Sequence, residues 1–184
     1  TFGANRLQLG LYEKEEWLHR VLRGHSLVIS QTLLDRTTTI TPTIVVAEAL
    51  VKIAKSPVPL RQALNVVSDT ACRWSEVVDV VQEALEESGL PPLKLCIVSD
   101  NQFKEFQKRH YQAVQDRLHN RRFDNTQFIS VLGSLSSSQS PLNAYKEQVK
   151  EFIRSGQFGY IDLLQEAKKD KLSHEMANFR AFSK

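Results

Sequence analysis

Apolar residues recur at helical spacing along most of the chain. Over residues 4–23, Leu7, Leu11, Leu18, Val21 and Leu22 share one face, with Glu13, Lys14, Glu16 and Arg20 opposite. Gly24 then stands where a helix ends in the left-handed conformation. Ser26 is placed to cap a second helix over 27–36, and the threonine run Thr37 to Thr39 breaks it, because β-branched hydroxyl residues compete with helical hydrogen bonds. The next start signal combines Thr41 as N-cap, Pro42 in the first helical position and Ile40 stapling against Val45. The helix that follows, to about Lys55, is apolar almost all round, with Glu48, Lys52 and Lys55 its polar stripe. A helix apolar on most sides is expected to be buried on most sides. Residues 44–54 are therefore read as the central helix, and Leu50→Ala is expected to cost roughly 2–5 kcal/mol.

Pro57 and Pro59 end that helix. Further helices are expected over 60–67 and over 71–87, the second with Trp74, Val77, Val78, Val81, Ala84 and Leu85 inward and Gly89 at its close. Residues 90–98 (LPPLKLCIV) are the stretch that does not read as helix. Leu93, Leu95 and Ile97 alternate with Lys94, Cys96 and Val98, yet no second strand is visible to pair with them. An extended crossover packed against helices is the reading. After it, a long helix spans 100–122 with Phe103, Phe106, Tyr111, Val114 and Leu118 inward. Shorter helices follow over 126–135, 141–155, 160–168 and 173–182. The fold class expected is all-α: an irregular array of about eight or nine helices. It forms a single domain over 1–184 in two halves, 1–89 and 99–184.

Composition narrows the function classes. Hydrophobic residues at 41% and charged residues at 24% are the soluble globular norm. No apolar run approaches the ~20 residues of a membrane span, and no signal peptide is present in these residues. Two cysteines do not make a disulfide scaffold, and they fit a reducing cytoplasmic or nuclear setting. The chain begins at Thr1 and its only methionine is Met176, which reads as a fragment of a longer protein.

The chemistry-bearing motifs are absent: no GxGxxG, no GxxxxGK[ST], no HExxH, no GxSxG and no EF-hand loop. Cys72 and Cys96 lack CxxC spacing or a neighbouring His and read as structural thiols. No cofactor, metal or small-molecule substrate is expected, and the chain is read as not an enzyme. Charge is the most informative feature. Residues 57–102 carry net −4, residues 103–184 net +5 and residues 1–56 net +2. On one helix over 100–122, Lys104, Lys108, His119 and Arg122 fall within a stripe ~60° wide. This stripe is the candidate partner-binding surface, for phosphates or for an acidic peptide. Ser138 and Ser140, in a serine-rich loop, match short kinase preferences, and a phosphate on Ser140 would sit at a helix N-terminus.

The leading expectation is a non-enzymatic protein-interaction or scaffold domain of a larger intracellular protein, with another protein as partner. A nucleic-acid-binding helical domain using the basic second half is the alternative. An enzyme whose site is not locally encoded is the third reading.

Overall fold

The computed structural model describes residues 1–3, 5–56, 62–108, 110–135 and 140–174. Helix accounts for 55% of them, but the fold is mixed α/β, not all-α. In chain order the elements are α1 (Lys14–Leu22), β1 (Leu27–Ser30), α2 (Gln31–Asp35), β2 (Thr37–Thr38), α3 (Thr43–Lys55), β3 (Cys72–Arg73) and α4 (Trp74–Glu87). They continue with β4 (Leu95–Val98), α5 (Asp100–Phe106), α6 (His110–Gln112), α7 (Thr126–Leu132), α8 (Pro141–Ser155) and α9 (Leu163–Ser173). A π-helical segment, Ala113–Arg117, continues α6. Met176 and the end of the helix expected over 173–182 lie outside the described residues, as do Pro57, Pro59 and Ser138. Residues 62–67 are not helical.

The correction to the fold class comes from one pairing. β1 and β4 form a parallel pair with Leu27 opposite Leu95 and Ser30 opposite Val98. A second, antiparallel pair joins β2 to β3. The expected helix over 27–36 is therefore a strand followed by a short helix. Its cap is Ser30, whose Oγ accepts from the Leu33 N–H at 3.1 Å. All four β1 residues are buried, as suits a parallel strand packed on both faces. The alternation in 90–98 does mark a strand, oriented with Cys96 and Val98 against the core and with Leu95 and Ile97 exposed.

The core lies between β1 and the helices around it. α4 packs along α8, and α1, α2, α5 and α9 pack around β1. Trp74, Val77, Val81, Ala84 and Leu85 of α4 are buried, as are Tyr145, Val149 and Phe152 of α8. The approach to α1 is not helical. Leu7, Leu9, Leu11 and Tyr12 are all buried in a turn in which Leu9 and Tyr12 exchange backbone hydrogen bonds of 2.9 Å. Tyr12 Oη donates to the Val28 carbonyl at 2.6 Å and accepts from Gln107 Nε2 at 2.9 Å, which ties this turn to β1.

Gln107 also explains why 100–122 is not one helix. Its side chain turns inward to Tyr12, its backbone leaves the helical region at ψ 125°, and the Phe106 carbonyl accepts from Gln165 Nε2. With its last carbonyl satisfied from α9, α5 has no need of a further turn.

α9 is fastened to α1 by buried charges. Arg20, 1% exposed, donates to Asp170 at 2.5 Å and to Glu166 at 3.2 Å, and to Ser173 Oγ and the Ser26 carbonyl as well. Lys169 Nζ donates to Glu166 at 2.6 Å and to the Glu16 carbonyl at 2.7 Å, and lies 4.8 Å from the Tyr12 ring centroid. Burial pushes the Lys169 ammonium below its ordinary range, against the opposing pull of Glu166.

Candidate docking face and the basic segment

α3 is held at both ends and leaves one side open. Its N-cap is Pro42, one residue later than the sequence suggests. The Thr43 N–H and Oγ1 both donate to the Phe2 carbonyl, at 2.8 and 2.7 Å, while the Phe2 N–H donates to the Thr41 carbonyl at 3.0 Å. Glycine at position 3 makes this stitch feasible, because a Cβ there would lie 2.2 Å from Thr43 Oγ1. Toward the other end, Lys52 Nζ donates to the Ser134 carbonyl at 2.6 Å.

Only Val45 and Ala49 of α3 are buried, and both stand apart from the main core cluster, as Phe128 of α7 does. The expectation that α3 is the central, most buried helix is overturned. Ile44 is 63% exposed, Leu50 60% and Val51 52%. Ala47 and Ala54 are exposed as well. At ~100° per residue these five side chains share a sector about 120° wide, away from Val45 and Ala49. Glu48, Lys52 and Lys55 lie along one flank of that sector. The polar residues thus separate the inward and outward apolar faces along that flank, while Val46 and Ile53, both half-buried, join them along the other.

The four basic candidates do not share a helix. Lys104 is half-buried on α5, and Lys108 lies just beyond its end, ion-paired to Asp162 at the start of α9. His119 is exposed after the π-helical segment, with Nε2 3.0 Å from the Val114 carbonyl. Arg122 is exposed in the following loop. It adds to the pull of the Thr126 hydroxyl and amide that holds the Asp124 carboxyl below its ordinary value. The break at Gln107 rotates everything after it, so a stripe drawn on a continuous helix is dispersed. Two arginines the stripe omitted are brought together instead: Arg117 and Arg121 both pair with Asp116 at 2.9 Å. The spacing Asp116, Arg117, Arg121 is the sequence signal that could have found them.

Ser140 is exposed and caps α8 without a side-chain hydrogen bond. Cys72 is buried, and its thiol is pushed up to about 11, so at neutral pH it is a thiol and not a thiolate nucleophile. Cys96 is half-buried with Sγ 3.8 Å from the Leu172 carbonyl. Among the described residues no cluster of three or more His, Cys, Asp or Glu side chains is arranged to hold a metal. No helix among them is long and apolar enough to cross a membrane. No known protein family, curated protein or solved structure matches the chain.

Proposed function

We propose that the chain is a non-enzymatic protein-interaction or scaffold domain and that α3 is its docking helix. The observation that supports this reading is the outward sector of Ile44, Ala47, Leu50, Val51 and Ala54, which the fold's own core does not cover. Contiguous apolar surface on a folded chain, rimmed by polar groups, is the composition of an interface core. The partner is another protein with an apolar face of its own. The lysines on the flank favour acidic residues at that partner's rim. The unpaired Cys72 and Cys96 fit a reducing compartment, the cytoplasm or the nucleus.

Photo-cross-linking from position 50 in cells, with position 83 on the exposed side of α4 as control, identifies the partner for reconstitution. The reading requires saturable binding of that purified partner, abolished by Ile44→Lys with Leu50→Lys while the thermal midpoint is kept. Adducts no different from those at position 83, or binding indifferent to the double variant, overturn it. Titration of labelled RNA and DNA at low salt tests the alternative. Binding that falls steeply with salt and is weakened by reversing Lys104 and Lys108 would move the function to the basic segment.

A further inference from the structure

A cleft opens between the loop over 38–41, the start of α4 and the end of the π-helical segment. Its polar lining is rich in groups that donate. Arg117 and Arg121 supply two guanidinium groups, and among the described residues Asp116 is the one carboxylate paired with them. Arg117 gives its remaining terminal nitrogen to Gln8 Oε1 at 3.2 Å, which occupies that acceptor too. Its Nε is buried and finds no hydrogen-bond partner among the described residues, an exception to the rule that buried N–H groups are satisfied.

The threonines add to the imbalance. Thr39 Oγ1 accepts from the Phe123 N–H and Thr41 Oγ1 from the Ser68 N–H, each at 3.3 Å. With a lone pair engaged in each case, the hydroxyl protons remain to be donated. The walls behind them are aromatic, Trp74 and Tyr145. The cleft's space of about 50 Å³ exceeds the ~10–15 Å³ a single water needs. It suits a few waters or one compact group.

From this lining we propose that the cleft binds the oxyanion of a small molecule, a phosphate or a carboxylate group. Such a group is acceptor-only and matches the donors left by Arg121, Thr39 and Thr41. Arg121 engages Asp116 through Nε and Nη1, which leaves its Nη2 to donate to such a group in a charge-assisted bond. The site is separate from the α3 docking face and does not depend on it.

Trp74 provides the readout, since the other tryptophan, Trp17, is fully buried in the core. The emission of the whole chain is followed during titration with inorganic phosphate and with acetate, against chloride at matched ionic strength. A saturable change below about 10 mM, absent in Trp74→Phe, is expected for one of the two anions. The anion that acts at lower concentration assigns phosphate or carboxylate. Arg121→Gln, at a partly exposed position, should keep the thermal midpoint and weaken binding by about tenfold or more. Thr39→Val should weaken it less. No response beyond chloride for either anion overturns the proposal, and so does an unchanged response in a folded Arg121→Gln variant.

Discussion

Arg20 of α1 and Asp170 of α9, 150 positions apart, meet at 2.5 Å in the interior of the fold. Asp170 Oδ1 also lies 3.0 Å from His25 Nδ1, so one carboxylate is shared by two side chains from the end of α1 and the turn after it. Removing Asp170 takes from the buried Arg20 its carboxylate at 2.5 Å and leaves Glu166, 3.2 Å away and shared with Lys169, to balance the charge. Asp170→Ala is expected to cost about 3–5 kcal/mol in urea unfolding. Glu166→Gln, 3.2 Å from the same guanidinium, keeps a neutral acceptor and should cost clearly less. Equal losses would mean that Asp170 is not the principal partner.

Gly10 is a second point at which the fold permits no substitute. It has φ +58°, and a Cβ there would lie 2.7 Å from Leu33 Cδ2, a fully buried side chain of α2. Gly10→Ala combines left-handed strain with overpacking and should destabilise by roughly 1–3 kcal/mol. A variant as stable as the parent would contradict the buried turn before α1.

Acid should weaken the fold partly through His19. Burial, aided by Arg23, holds its imidazole below the ordinary value of 6.5, and its ring packs edge-on against Phe158 at 5.4 Å. The unfolded chain takes a proton as pH falls through about 6.5, while the folded chain takes it only at lower pH. Stability therefore falls with acidification across that window and is unaffected above it. Thermal midpoints measured from pH 7.5 to 5.5 should drop more for the parent than for His19→Gln. Parallel curves would remove His19 from this role.

Local pattern and non-local packing contributed unequally to what the sequence conveys. α4 and α8 were legible because their apolar residues form a stripe longer than three turns, with Gly156 closing the second. The parallel pair was not. Leu27–Ser30 is four residues, too short for its period to tell strand from helix, and its partner lies more than sixty residues away. Ser26 and Ser30 both offer a cap, and only the pairing of β1 selects Ser30. α3 shows a different limit: its sequence states how much apolar surface the helix carries, and packing decides which side is covered. The basic stripe dispersed because the buried contacts of Gln107 with Tyr12 and of Phe106 with Gln165 end α5 early.

The outward face of α3 is tested most directly by urea unfolding of Leu50→Lys beside Leu33→Ala. Leu33, fully buried on α2, sets the scale of a core truncation, about 2–5 kcal/mol. Leu50, 60% exposed, should accept lysine with a change within about ±0.5 kcal/mol, in place of the core-sized loss expected from sequence. A loss for Leu50→Lys that matches or exceeds that of Leu33→Ala would mean that the stripe is buried in the native state, and α3 would then present no face for a partner.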